Sequence, residues 1–129
     1  MNKEFTVKTE IAKKIGTYLY EKDYSPTFIS KKDKDILFVV IGKCVVFVSI
    51  SDNDDFIGIG YLAKENGKYH IRRNADVKKA LFSMERILKC INGVEEGIRT
   101  LPNRNVLEDC EFDNPVDVLY EYVQTLGKE

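Results

Sequence analysis

The stretch from Ile36 to Ile50 constrains the fold of this chain more than any other. Two apolar runs, rich in β-branched residues, flank the dipeptide Gly42-Lys43. Such runs on either side of a two-residue turn predict a β-hairpin, in which Gly at the first turn position supplies the positive φ of a type II′ turn. A single hairpin is only marginally stable in water, so further strands must pair with it.

Both faces of this hairpin are apolar. Around the turn, one face carries the pairs Ile41–Cys44, Val39–Val46 and Leu37–Val48. The other face carries Ile36, Phe38, Val40, Val45 and Phe47. A strand pair with one face in water would alternate apolar and polar residues. We therefore expect helices on one face and a helix, a partner chain or the curvature of the sheet itself on the other.

The residues before the hairpin predict a helix and a short strand. Helical spacing over residues 7 to 22 indicates an amphipathic helix with the apolar positions Val7, Ile11, Ile15, Tyr18 and Leu19. Pro26 ends that segment and opens a short edge strand over Thr27–Ser30, because proline is tolerated at the start of a strand. A charged turn then leads into the hairpin.

Two more strands are predicted directly after the hairpin. Residues 56 to 63 form an apolar run with two glycines, and residues 69 to 73 alternate apolar and polar side chains. Between them, Asn66-Gly67 is typical of a type I′ turn. The polar residues 51 to 55 form the preceding turn.

The strongest helical pattern comes next. We predict a long helix capped by Asn74 and ended by Asn92-Gly93, with glycine in the left-handed cap position. Its apolar positions are Val77, Ala80, Leu81, Met84, Ile87, Leu88 and Ile91. Two further strands, residues 94 to 101 and 106 to 112, are predicted to follow it.

The last helix starts at Asn114. Asparagine is a common N-cap, Pro115 suits the first helical position and Asp117 suits the first turn. We predict an inner stripe made of Val116, Leu119, Tyr120 and Val123. The whole chain, residues 1 to 129, is predicted to form a single α+β domain. It comprises an antiparallel β-meander of about five to seven strands, an N-terminal helix, a long central helix and a C-terminal helix.

Composition restricts the functional classes. Apolar residues make up 43% and charged residues 32% of the chain, which is typical of a globular protein. The net charge of −1 argues against a protein that binds nucleic acid by neutralising phosphates. No apolar run is long enough to span a membrane. Without an export signal, the widely spaced Cys44, Cys90 and Cys110 favour reduced thiols and a cytoplasmic location.

Short motifs typical of cofactor and metal sites occur in the sequence, but the residues around them do not fit those sites. Gly58 to Ala63 fits the dinucleotide pattern G-x-G-x-x-A, but no helix is predicted to open after it. Asp52 to Asp55 begins like a calcium loop, yet Phe56 and Ile57 occupy the next required positions. The single histidine, His70, cannot build a histidine-rich metal site by itself. We therefore predict no catalytic residue, no metal site and no cofactor.

The pattern from Leu19 to Asn92 resembles the YbjN-like family, which shares the fold of the type III secretion chaperones. The resemblance rests on residues 35–38 followed by Gly42-Lys43, on residues 46–50, 52, 54–57 and 59–61, and on the apolar helix from Ala80 to Ile91 that ends in Asn92. What it implies is a small, often dimeric module that binds protein segments or modulates other proteins, without catalytic residues.

The functional prediction is a non-enzymatic cytoplasmic interaction module, chaperone-like or regulatory. The alternatives are a strict secretion chaperone, a small ligand-binding domain or enzyme of unknown chemistry, and an inhibitor of a host protein encoded by a phage or mobile element. The partner is another protein of unknown identity, and a homodimer is one option. The residues predicted for a partner or dimer surface are Leu81, Met84, Leu88 and Tyr61.

Overall fold

A computed structural model describes residues 9–99 and 112–126 of the chain. Its elements are α1 (Glu10–Glu21), β1 (Thr27–Ser30), β2 (Lys34–Ile41), β3 (Cys44–Ser51), β4 (Phe56–Glu65), β5 (Lys68–Lys78), a short 3-10 helix (Lys79–Leu81), α2 (Met84–Arg99) and α3 (Pro115–Leu126). The five strands form one antiparallel sheet in sequential order from β1 to β5. This is the predicted α+β class with a meander sheet.

The central hairpin has the predicted register. Ile41 pairs with Cys44, Val39 with Val46 and Leu37 with Val48. Gly42 has a φ of 62°, as the first position of the predicted turn requires. Asn66 and Gly67 also have positive φ values, 52° and 78°, which fits a type I′ turn between β4 and β5.

The sheet separates two apolar clusters, as expected from a hairpin that is apolar on both sides. On what we call the first face, α1 and α2 pack over a cluster that includes Leu37, Val46 and Ile59. On the second face, α3 packs over a cluster that includes Phe38, Phe47 and Leu62. Of the three possibilities predicted for the second face, namely a helix, a partner chain or curvature of the sheet, the structure shows a helix, α3.

A bulge in the last strand pair changes which cluster β5 contacts. Ile59 pairs with Ala75 but Gly60 pairs with Arg73, so Asn74 is the extra residue on β5. Side chains alternate with a period of two along a strand, and one inserted residue reverses the faces. Accordingly, Ile71 packs in the second-face cluster, whereas Val77 packs in the first-face cluster.

The predicted start of the long helix is wrong. Residues 74 to 78 belong to β5, which stays paired with β4 as far as the register pair Phe56–Lys78. The 3-10 helix follows, and the α2 helix begins only at Met84. Ser83 caps it, because its hydroxyl accepts a hydrogen bond from the Arg86 amide at 3.2 Å. Strand pairing therefore overrides the helical spacing at Val77, and Ala80 lies in the 3-10 helix.

The predicted end of this helix is also wrong. The α2 helix continues past Asn92-Gly93 to Arg99, and Gly93 does not have the positive φ of a helix cap. Residues 94 to 99 are therefore helical, and no strand begins at Val94. The pattern continues because Val94 and Ile98 are buried in the first-face cluster one and two turns after Ile91. Residues 100–101 and 106–111 of the two predicted strands lie outside the described residues, and Phe112 is not in a strand.

The helical course of α2 predicts that two alanine substitutions stabilise the protein. Gly93 and Gly97 lie in the helix, and a Cβ atom at either position would meet nothing within 4 Å. Alanine is favoured over glycine in a helix by about 1 kcal/mol. We expect Gly93→Ala and Gly97→Ala each to raise the free energy of unfolding by about 0.5–1 kcal/mol, measured by urea denaturation. A loss of stability in Gly93→Ala would instead indicate a left-handed helix end at that residue.

The last helix begins where predicted, but its inner stripe differs. The Asn114 side-chain amide donates a hydrogen bond from Nδ2 to the Asp117 carboxylate at 2.7 Å, which links the cap position to the first turn. Leu119 and Tyr122 are the buried residues of α3. Val116 and Tyr120 are 46% and 61% exposed, so their place in the predicted inner stripe is wrong. Tyr122 takes the buried place because it packs edge-on against Phe38, with ring centroids 5.8 Å apart.

Candidate functional site

The main candidate site is an open edge of the sheet. Among the described residues, β5 pairs with β4 along one side only, whereas β2, β3 and β4 each pair on both sides. The bulge at Asn74 interrupts the regular pairing, so the regular part of this edge is Lys68–Arg73. We call these six residues the β5 edge. The other edge strand, β1, has only four residues.

The turn before β5 determines which backbone groups face outward. A two-residue type I′ turn makes its flanking residues, Glu65 and Lys68, a hydrogen-bonded pair. Hydrogen-bonded and non-hydrogen-bonded pairs alternate along an antiparallel ladder. The N–H and C=O groups of Tyr69, Ile71 and Arg73 therefore point away from β4. These are the groups that an added strand would use.

The side chains of the β5 edge divide between the two faces. Lys68, His70 and Arg72 lie opposite Glu65, Ala63 and Tyr61, and so belong to the first face. Tyr69 and Ile71 pack in the second-face cluster. An ion pair joins Arg72 to Glu65, and a second joins Arg73 to Asp76 at 3.7 Å.

A second surface lies beside the helices. An open groove of about 340 Å³ follows α1 and reaches the start of α2, and its lining includes Lys13, Lys14, Tyr18 and Met84. We call it the α1–α2 groove. The Lys13 ammonium is 3.5 Å from the Glu10 carboxylate at the protein surface. The groove therefore combines the side chains of Tyr18 and Met84 with two basic residues and the acidic Glu21.

The four residues predicted for a partner surface lie on or beside the first face. Tyr61, Met84 and Leu88 are half-buried and pack against the first-face cluster. Leu81, in the 3-10 helix, is 58% exposed. Of the four, Met84 lines the α1–α2 groove. Leu81 is the one whose side chain lies mainly in solvent.

Because Leu81 is exposed, we expect a charged residue at this position to have little effect on the stability of the protein. Because the side chain contributes little to the core, Leu81→Asp is expected to change the free energy of unfolding by no more than about 0.5 kcal/mol. If the chain forms a dimer through this surface, the same variant is expected to be monomeric by sedimentation velocity. Unfolding of the variant would contradict the surface position of Leu81.

The described residues that were considered for chemistry are dispersed, and Cys110 lies outside the described residues. His70 is exposed on the β5 edge, Cys44 is buried in the first-face cluster and Cys90 is half-buried on α2. Over residues 9–99 and 112–126, no three His, Cys, Asp or Glu side chains come together in a group that could hold a metal ion. Gly58 to Ala63 lies inside β4 and not at a turn into a helix, so the dinucleotide pattern lacks its required geometry.

Lys79 has a structural role at the turn between β3 and β4. The Lys79 ammonium donates to the Ser51 carbonyl, and the Lys79 amide donates to the Asp55 carbonyl at 2.6 Å. Both contacts secure the turn that begins like a calcium loop. Glu95 and Glu96 lie on α2, not in a strand.

No helix in the described part of the chain is long and apolar enough to cross a membrane.

Comparisons with known proteins assign no family and no function to this chain. The chain matches no protein-family model, no curated protein and no solved structure. The resemblance to the YbjN-like family stays a prediction.

Sequence reasoning identified the strand but not its importance. The Asn66-Gly67 turn and the alternation over residues 69 to 73 predicted β5 itself. Its position at an edge is a property of the whole sheet, and no local pattern in residues 68 to 73 indicates which strands pair with β5. The basic residues of β5 are visible in the sequence, but nothing local indicates that they line an open edge.

Proposed function

We propose that the protein is a non-enzymatic interaction module, chaperone-like or regulatory, that binds a partner protein by strand addition at the β5 edge. The observation that carries this proposal is that β5, in the described part of the chain, pairs along one side only, and the ladder pattern turns the backbone groups of Tyr69, Ile71 and Arg73 to the other side. In strand addition, a partner segment hydrogen-bonds to such groups and extends the sheet. The backbone supplies affinity, and the flanking side chains supply specificity.

The rest of the sheet supports this choice of surface. Helices pack on both faces, through the first-face and second-face clusters, so the central strands are not available to a partner. The β1 edge offers four residues, fewer than the β5 edge. A longer regular edge provides more backbone hydrogen bonds for an added strand.

A second candidate function is the binding of a small ligand in the α1–α2 groove. Its volume of about 340 Å³ falls within the range typical of ligand sites, and its lining combines Tyr18 and Met84 with two lysines and Glu21. This function would use the first-face helices and leave the β5 edge free. The two proposals therefore predict effects of substitutions at different places.

The test is affinity capture of the tagged protein from cells that naturally carry it, with mass spectrometry of retained proteins. Ile71→Pro removes an outward N–H without removing a hydrogen bond to β4, because that amide points away from β4. Ile71→Val keeps the N–H and is the matched control. Circular dichroism and a thermal melt establish that both variants fold.

We expect one stoichiometric partner with the original protein and with Ile71→Val, and its loss with Ile71→Pro. Retention of the partner by folded Ile71→Pro would contradict strand addition at this edge. Capture of no protein, together with stabilisation of the chain by a metabolite that depends on Lys13 or Tyr18, would favour the ligand-binding alternative.

A further inference from the structure

The β5 edge is more basic than the protein as a whole. Its six residues include Lys68, Arg72 and Arg73 together with His70, and none of them is acidic. The complete chain has a formal net charge of −1. Positive charge is therefore concentrated along the longer of the two sheet edges in the described part of the chain.

The ion pairs of Arg72 and Arg73 leave both guanidinium groups accessible to a further acidic group. The Arg72 side chain is 52% exposed and Arg73 is 58% exposed, so both pairs lie in contact with water. Exposed ion pairs contribute little to stability, and their partners exchange readily with solvent. Each guanidinium also has five N–H donors, more than one carboxylate can accept. Lys68 is exposed at the end of the edge.

We infer that the occupant of the β5 edge is an extended, acidic segment of another protein, with acidic residues at alternate positions. This inference rests on the proposed function and adds the chemistry of the partner. Lys68, His70 and Arg72 share the first face at intervals of two residues. An added strand has the same period of two, so alternate acidic side chains would face all three.

The same charges argue against a second copy of this chain as the occupant. If two β5 edges paired antiparallel about a two-fold axis, basic residues would lie opposite or diagonal to basic residues. Like charges placed directly opposite each other destabilise a strand pair. Charged residues on an edge are a known means of preventing such self-pairing. An acidic strand would turn this repulsion into attraction.

The experiment titrates the ¹⁵N-labelled protein with synthetic peptides and follows the amide resonances. The acidic probe is an N-acetylated, C-amidated nonapeptide of alternating Glu and Val that begins and ends with Glu. Two matched peptides replace every Glu with Gln or with Lys. All three can form a strand, so they differ only in the charge that they bring to the β5 edge.

We expect the acidic peptide to shift the resonances of Tyr69, Ile71 and Arg73. Cross-strand pairs of opposite charge each contribute modestly, and two or three of them correspond to about tenfold tighter binding than the Gln peptide at low salt. Added salt should reduce this difference, because exposed charges are screened. The triple variant K68Q/R72Q/R73Q should lose the preference while retaining the fold.

The outcomes separate the two proposals. Equal binding of the Glu and Gln peptides at β5 would overturn the inference about charge but leave strand addition intact. Binding of the acidic peptide in the α1–α2 groove, at Lys13 and Lys14, would overturn the inference that acidic segments bind at the β5 edge. If no peptide shifts the β5 resonances at millimolar concentration, both the inference and strand addition at this edge are contradicted.

Discussion

Gly60→Ala is expected to destabilise the protein by about 3 kcal/mol, through overpacking at the bulge between β4 and β5. A Cβ atom on Gly60 would overlap the carbonyl oxygen of Arg72 and the ring of Phe47. The carbonyl belongs to the strand paired with β4, and Phe47 is buried in the second-face cluster. Neither group can move without disrupting strand pairing or the core.

The other glycine of β4 provides the matched control. A Cβ atom on Gly58 would lie 3.4 Å from the Arg73 guanidinium carbon and 3.5 Å from an Asp76 carboxylate oxygen. Those are ordinary contacts with side chains that can adjust. In urea denaturation followed by circular dichroism, we expect Gly58→Ala to stay within about 1 kcal/mol of the original protein. Similar stabilities for the two variants would contradict the bulge geometry at Gly60.

Asp35→Ala is expected to cost about 2–3 kcal/mol, because Asp35 connects the start of α1 to the sheet. The Asp35 carboxylate is fully buried and accepts hydrogen bonds from the Thr9 amide at 2.9 Å and the Thr9 hydroxyl at 2.8 Å. Thr9 is the N-cap of α1, and its hydroxyl accepts a hydrogen bond from the Ala12 amide at 3.2 Å. Alanine at position 35 would leave both Thr9 donors without this acceptor.

A thermodynamic cycle isolates this contact from the effect of burial. Asp35→Ala, Thr9→Ala and the double variant are compared by urea denaturation, and we expect a coupling energy of about 1–2 kcal/mol. Asp35→Asn keeps an acceptor without the charge and should lose about half as much stability as Asp35→Ala. Unchanged or higher stability in Asp35→Ala would show that the cost of burying the carboxylate exceeds its hydrogen bonds.

Local signals were sufficient for the hairpins. A two-residue turn fixes the register of the strands on either side, so the pairs from Ile41–Cys44 to Leu37–Val48 followed from the sequence. The apolar residues on both sides of that hairpin also implied the two clusters. The same reasoning located the Asn66-Gly67 turn. Pro26 indicated the edge position of Thr27–Ser30.

Contacts between distant residues explain what local patterns could not predict. The pattern from Val77 onward fits a helix, but pairing with Ile57 keeps Val77 in β5. Asn92-Gly93 is a common helix end, yet burial of Val94 and Ile98 extends α2 beyond it. The contact between Thr9 and Asp35 spans 26 residues. The openness of β5 depends in the same way on how the whole sheet is assembled.

The central claim, that β5 is an open edge in the isolated protein, is tested most directly by residue-resolved amide hydrogen exchange. Amides that hydrogen-bond to β4 exchange slowly, and those that face water exchange quickly. We predict slow exchange at His70 and Arg72 and fast exchange at Tyr69, Ile71 and Arg73. Slow exchange at all five amides in the isolated protein would show that the edge is already paired and would contradict binding by strand addition there.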